Sequence, residues 1–198
     1  MVDSVLKEIK RMKEFAKDNN VPIMQEDGIN YLTTFIIKHK ITSILEVGTA
    51  IGYSAILMVL TNKNVKVTTI ERDENRYLEA LRNVKKLGLE DRITLIFKDA
   101  KDVTLDDNFD LIFIDAAKGQ NKAFFEKFSF NLNPKGFIIT DNMNFHGLVL
   151  EDEANIPSRN LRGLIHKIKA YKVFLEDNEE FVTQFYDVGD GIAVSQRV

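Results

Sequence analysis

Four apolar runs in this chain each end in a carboxylate. They are Ser43-Ile44-Leu45-Glu46, Val67-Thr68-Thr69-Ile70-Glu71, Leu111-Ile112-Phe113-Ile114-Asp115 and Phe137-Ile138-Ile139-Thr140-Asp141. Short β-branched runs separated by helical patterns read as parallel strands buried on both faces. In an open parallel sheet, ligands bind at the carboxyl ends of the strands. The spacing therefore predicts four acids along one rim. Negative charge buried there is costly unless hydrogen-bond donors or positive charge lie against it.

The rest of the chain fits around those strands. Val5, Leu6, Ile9, Met12, Phe15 and Ala16 recur at helical spacing, which predicts an amphipathic helix ended by Val21-Pro22. A second helix is expected from about Gln25 to His39, so residues 1–40 form an N-terminal helical segment. Helices are also expected over Tyr53–Leu60, from an Asp73 N-cap to Gly88, over about Gln120–Phe130 and over Ser158–Tyr171. Arg92–Phe97 reads as a further strand and Asn133-Pro134-Lys135-Gly136 as a turn. Residues 143–157 hold no periodicity, an acidic Glu151-Asp152-Glu153 run and a Pro, which marks a lid loop. Phe181–Tyr186 and Ile192–Gln196 alternate around Gly189-Asp190-Gly191, a hairpin signal.

Composition narrows the function. The 198 residues, 44% hydrophobic, suffice for one domain with a full core. A net charge of -3 gives no global basic field for nucleic acid, although a local basic face stays possible. With no cysteine, disulfides, thiolate metal sites and a Cys nucleophile are excluded, and a cytoplasmic protein is expected. No apolar stretch has the ~18 residues of a membrane span, and the Lys- and Glu-rich start does not read as a signal peptide.

Glu46-Val47-Gly48-Thr49-Ala50-Ile51-Gly52-Tyr53-Ser54 is a strand end, a glycine turn and a helix start. Such a turn permits close approach of a ligand, and the helix N-terminus offers unpaired N–H groups. An ordinary βα turn is the plain alternative. The phosphate-loop pattern is absent, and Ala50 stands where a dinucleotide turn needs its second glycine. Glu71 ends the next strand about 20 residues on, where an acid commonly bonds both hydroxyls of a ribose; a solvated strand-end Glu is the alternative.

E-V-G-T-x-x-G-Y-S, the acid at the second strand end, F-D-L-I-F-I-D-A-A-K and I-I-T-D-N occur in that order. Together they resemble the metal-dependent O-methyltransferases of the catechol and caffeoyl-CoA type, which use S-adenosylmethionine. The resemblance covers nearly the whole chain, including the terminal G-D-G-I hairpin. It implies an α/β Rossmann-like methyltransferase fold over residues 1–198. The sheet would be seven-stranded and mostly parallel, with an antiparallel C-terminal hairpin and helices on both faces.

The same resemblance implies site residues. Met24, Glu46, Gly48, Gly52, Tyr53, Ser54, Glu71, Asp99, Ala100 and Asp115 would contact the cofactor. Ser54 and the glycine turn would face its methionine end, and Asp99 and Ala100 its adenine. Asp115, Asp141 and Asn142 match the family's metal ligands. Two carboxylates and an amide carbonyl are hard oxygen donors, suited to Mg²⁺, with Mn²⁺ or Ca²⁺ as alternatives. Without a metal, Asp115 would cap the next helix and Asp141-Asn142 would make an Asx turn. Lys118 stands at the family's catalytic lysine, and could take the proton of the acceptor hydroxyl.

A chelating metal needs vicinal oxygens on the acceptor. Catechols provide them, and so does 5-hydroxyuridine. The chain is similar to a bacterial branch that methylates 5-hydroxyuridine at the tRNA wobble position. That likeness lies in Val21-Pro22-Ile23-Met24, Gly48 to Ser54, Asp141-Asn142-Met143-Asn144-Phe145-His146-Gly147 and Ser158-Arg159-Asn160-Leu161-Arg162. Arg159, Arg162, His166, Lys167, Lys169 and Lys172 crowd one segment, as phosphate binding requires, and Phe145 could stack on a splayed base. A tRNA anticodon loop is thus the first partner expected. A small catechol-like or caffeoyl-type phenol is the alternative, and a non-catalytic cofactor-binding protein is a third. The family commonly forms homodimers.

Overall fold

The computed structural model describes all residues except 1, 117, 146, 150, 152–155 and 157, and the side chains of residues 2 and 118. Its helices are α1 (Val2–Asp18), α2 (Glu26–His39), α3 (Tyr53–Leu60), α4 (Glu74–Lys86), α5 (Asn121–Phe128) and α6 (Arg159–Glu176). Its strands are β1 (Ser43–Val47), β2 (Lys66–Glu71), β3 (Ile93–Phe97), β4 (Phe109–Ile114), β5 (Leu132–Thr140), β6 (Phe181–Tyr186) and β7 (Ile192–Arg197). All seven belong to one mixed sheet. The backbone falls into two compact units, 1–104 and 105–198.

In the first unit β1, β2 and β3 pair in parallel, with Glu46 opposite Thr69 and Glu71 opposite Phe97. Ile44, Leu45, Val47, Val67 and Ile70 are buried, as expected of strands covered on both faces. Leu32 and Ile36 of α2 and Ile56, Met58 and Val59 of α3 are buried with them. Each such side chain contributes roughly 1.5–3 kcal/mol of burial. Asp73 caps α4 by accepting from the Arg76 N–H at 3.0 Å, so this N-cap lies where the sequence puts it.

In the second unit β4 and β5 are parallel, and β7 runs antiparallel to both β5 and β6. The hairpin expectation therefore holds. Phe125 of α5 meets Tyr171 and Phe174 of α6 and Phe181 of β6, with ring centroids 5.0–6.3 Å apart. Buried Ile165, Ile168, Tyr171 and Leu175 form the inner line of α6, which runs past the expected Tyr171 to Glu176. Ser158 caps it by accepting from the Leu161 N–H.

One expectation fails. Asn133-Pro134-Lys135-Gly136 is not a turn but the irregular start of β5. The register shifts opposite Phe109 and Leu111. The Asn133 amide donates to Asp110 Oδ1 at 2.8 Å, and a Cβ on Gly136 would lie 2.9 Å from the Asp110 carbonyl oxygen. Turn-forming residues here serve a β-bulge, which uses the same chemistry. Much of the expected lid over residues 143–157, including Asp152 and Glu153 of its acidic run, lies outside the described residues. Among the described residues no helix is long and apolar enough to cross a membrane.

Candidate active site

The glycine turn in the first unit is built on hydrogen bonds from below. Glu46 is fully buried at the end of β1. The Ser54 hydroxyl donates to its Oε1, and the Thr69 hydroxyl donates to its Oε2 at 2.5 Å. Thr69 has one hydroxyl proton and spends it on Glu46. Its 2.6 Å contact with Thr49 is therefore a bond that Thr49 donates. The sequence places Glu46 on a rim that needs an external counterpart. Inside the structure two hydroxyls stabilise it, and a hydrogen bond to a charged group contributes about 1.5–3 kcal/mol.

Glu71 is 8% exposed, so it is not a solvated strand-end acid. Its Oε2 accepts from the Ala50 N–H at 2.8 Å, and its Oε1 from the N–H groups of Arg72 and Asp73, both at 2.9 Å. One carboxylate thus fixes the middle of the glycine turn and the start of α4. Ala50 has φ 46°, and Gly48 and Gly52 have φ 107° and 81°. A left-handed alanine costs on the order of 1–3 kcal/mol and persists only where its surroundings over-determine it. Gly52 meets a second demand, because a Cβ there would lie 3.4 Å from the Ala80 Cβ of α4.

Of the other expected cofactor residues, Tyr53 and Ser54 adjoin this turn in the chain, and Met24, Asp99 and Ala100 lie elsewhere in the first unit. Ser54 sits in the first turn of α3. Tyr53 is buried. Burial disfavours the Lys13 ammonium, but Tyr53 and Glu26 beside it outweigh that and raise its pKa. Asp99 follows β3, accepts from the Lys101 N–H at 3.0 Å and pairs with Arg72 at 3.2 Å. That backbone bond, then the Arg72 charge, hold its carboxyl below the usual range. Ala100 is buried beside it. Met24 is buried with its side chain against Gly28 of α2, so packing is part of its role.

In the second unit the three expected metal ligands come together. Asp115 follows β4 and Asp141 follows β5, and the Asp141 N–H donates to the Ile114 carbonyl at 3.1 Å. The Asn142 amide nitrogen lies 2.9 Å from Asp115 Oδ1 and 3.2 Å from Asp141 Oδ2. Asp141 is 5% exposed. Asn142 has φ 65° and Phe145 φ 45°, both left-handed and non-glycine. The other two non-glycine residues with positive φ in the described chain outside the turn at Ala50 are Asn20 and Lys40, just past helix ends, where that conformation is ordinary. The strained residues away from helix ends therefore lie in these two constellations.

The hairpin turn holds the segment after Asp141 in place. The Met143 N–H donates to the Gly191 carbonyl at 2.9 Å, and the Asn144 N–H to the Asp190 carbonyl at 2.8 Å. The Asn144 amide donates to Asp187 at 2.9 Å. Gly191 has φ 84°, and a Cβ on it would fall 2.6 Å from Asn144. These supports are missed by reading the sequence, although G-D-G after a strand is the available signal.

The two carboxylates are hard oxygen donors that suit Mg²⁺; Asn142 now turns its amide nitrogen to them, and would have to present its carbonyl oxygen instead to join them on a cation. Among the described residues no group of three or more His, Cys, Asp or Glu gathers as a metal site, so the donor set rests on the amide as its third member. Lys118 opens a 3-10 turn, Lys118–Gln120, and its side chain lies outside the described residues, as does His146. Arg159 is exposed on α6. Arg162 is half-buried and donates to the Ile156 carbonyl at 2.6 Å, so it serves the fold before any ligand. Phe145 is half-buried.

Known proteins share this fold. The O-methyltransferase family matches residues 2–198. A Staphylococcus aureus protein of solved structure, assigned by name to the caffeoyl-CoA O-methyltransferases, is 36% identical; the match covers 96% of this chain and 92% of that one, with a TM-score of 0.90. Caffeoyl-CoA O-methyltransferase of Populus kitakamiensis is 27% identical over 206 residues, covering 98% of this chain and 86% of the relative. An O-methyltransferase from Bacillus cereus, crystallised with S-adenosylhomocysteine, shares the fold at 23% identity and a TM-score of 0.82, over 97% of this chain and 91% of its own. The chain belongs to the O-methyltransferase family and is an S-adenosylmethionine-dependent enzyme of that family.

Proposed function

We propose that this enzyme methylates one of two neighbouring oxygens on its acceptor with the help of a divalent cation. The observation that carries this is the convergence of Asp115 and Asp141 on the Asn142 amide, at 2.9 and 3.2 Å. Asp115, Asp141 and Asn142 would hold the ion. A divalent cation there supplies charge that favours the ionised hydroxyl of a chelating acceptor.

The chain's own residues do the rest. Glu71 and the Gly48–Gly52 turn bind the ribose and methionine parts of the methyl donor, with Ser54, Asp99 and Ala100 beside them. Lys118 accepts the hydroxyl proton. The acceptor oxygen then attacks the methyl carbon as the carbon–sulfur bond breaks, leaving S-adenosylhomocysteine. Positioning and fixed charge supply most of the acceleration.

For the acceptor, we favour 5-hydroxyuridine at the tRNA wobble position. The sequence likeness of residues 141–147 and 158–162 supports it, as does the exposed Arg159, His166 and Lys167 on α6. Phe145 would stack on the base. A second reading, a caffeoyl-type phenol, is supported by the names of the Populus and Staphylococcus relatives. Nucleoside mass analysis of tRNA from a strain lacking the gene separates them. Loss of methoxyuridine with build-up of hydroxyuridine supports tRNA. An unchanged profile together with turnover of caffeate-type phenols supports the second reading. The proposal includes a cytoplasmic homodimer, tested by sedimentation of the purified chain. Exposed Leu6 and Val182 on α1 and β6 are the surfaces to substitute.

A further inference from the structure

A charged cluster between α1 and α4 plays no part in the reaction as described. Glu8 and Glu79 are each 4% exposed and Asn83 is fully buried. Arg11 of α1 donates from Nε to Glu8 at 2.5 Å, and from Nη2 to Glu79 at 3.1 Å and to Asn83 Oδ1. Lys86 lies 2.6 Å from Glu8, and Arg82 lies 3.0 Å from Glu79. A cluster that only tied two helices together would end there.

Asn83 continues it. Its amide nitrogen donates to the Ile51 carbonyl at 2.8 Å, inside the glycine turn. An arginine can only donate and a carbonyl can only accept, so the two neighbours together fix which way the Asn83 amide faces. One turn earlier on α4, Ala80 packs at Gly52. The left-handed Ala50 is thus bracketed, with Glu71 on its own N–H and Asn83 on the next carbonyl.

We propose that Asn83, oriented by Arg11, is a positioning residue for the methyl donor. It holds the Gly48–Gly52 turn in its binding conformation, so the charge cluster on α1 sets cofactor affinity. The proposal rests on the assignment of that turn to S-adenosylmethionine. A turn released from Asn83 populates other conformations, and affinity falls by the fraction that stays competent.

The test is calorimetric titration of S-adenosylhomocysteine into the wild-type chain, Arg11→Met, Asn83→Ala, the double variant and Arg82→Ala, with melting temperatures measured in parallel. Each single change in the relay should weaken binding by about two- to tenfold, the worth of one net hydrogen bond. The KM for S-adenosylmethionine should rise by the same factor while kcat at saturation holds. The double variant should bind no more weakly than Asn83→Ala, because both changes act through one bond. Arg82→Ala, which removes an exposed partner of Glu79, should bind like wild type. Arg11→Lys should recover part of the loss. Affinity unchanged in both single variants, with only a lower melting temperature, overturns the proposal, as do additive losses in the double variant. If Asn83→Ala does not fold, Arg11→Met and Arg11→Lys decide it. A wild-type chain that binds no S-adenosylhomocysteine overturns the assignment of the turn as well, which is a different failure.

Discussion

The glycine turn of the first unit and the carboxylate pair of the second are held by different kinds of hydrogen bond. Glu46 and Glu71 are answered from within, by two hydroxyls and by three backbone N–H groups. Asp115 and Asp141 converge on one neutral amide. Both regions hold non-glycine residues in the left-handed conformation, Ala50 in one and Asn142 and Phe145 in the other. Such conformations persist only where the surroundings over-determine them, and both regions are the ones proposed to take a ligand. On the proposed reading the glycine turn takes the methyl donor and the paired carboxylates, hard oxygen donors, take a cation.

The largest effect should come from the second unit. Asp141→Ala removes a proposed metal ligand and should lower turnover by about a hundredfold or more. Its affinity for S-adenosylhomocysteine should match wild type. Steady-state kinetics and calorimetry on one preparation check both halves, and a parallel loss of cofactor binding would break the comparison.

Glu71→Ala should do the reverse. It removes a charged acceptor from three N–H groups and from the proposed ribose site, so cofactor affinity should fall by about ten- to a hundredfold. Turnover at saturating S-adenosylmethionine should change far less. An unchanged KM for the cofactor would place the ribose elsewhere.

Gly191→Ala sharpens the contrast from a distance. The new methyl group would enter the space of Asn144 at a φ of 84°, costing about 1–3 kcal/mol. Thermal melting should register that cost. The displaced Asn144 segment should slow turnover while the cofactor dissociation constant stays put, since the hairpin holds the Met143–Asn144 backbone just after Asp141.

The smallest effect is acid stability in the first unit. Burial disfavours the Glu8 carboxylate, but Lys86 and Arg11 outweigh that and hold its pKa below the usual range. A lowered folded pKa contributes stability that is present above the unfolded value of about 4.3 and lost as pH falls through the folded one. Melting temperatures of Glu8→Gln should therefore lie below wild type near neutral pH and converge with it in acid. A constant difference across pH would contradict the ion pairing.

The sequence shows the strands because β-branched runs have no other comfortable home, and it shows the glycine turn because the turn needs its glycines. It misleads at Asn133–Gly136, where turn residues serve a bulge opposite Asp110. It also hides the fate of Glu46. An acid at a strand end looks the same whether water or a pair of hydroxyls stands against it, and Ser54 and Thr69 come from different elements. The Arg11–Asn83–Ile51 relay is invisible for a similar reason. Charged residues on two helices read as solvated faces until the fold buries Glu8, Glu79 and Asn83.

One measurement tests the central claim, that a divalent cation and the methyl donor occupy separately built sites. Mn²⁺ is titrated calorimetrically into the wild-type chain and Asp141→Ala, each with and without S-adenosylhomocysteine. The account predicts one Mn²⁺ bound by wild type and none by the variant at that site, with S-adenosylhomocysteine binding equally well to both. Mn²⁺ binding that survives in Asp141→Ala, or cofactor affinity that falls along with the metal, would contradict it.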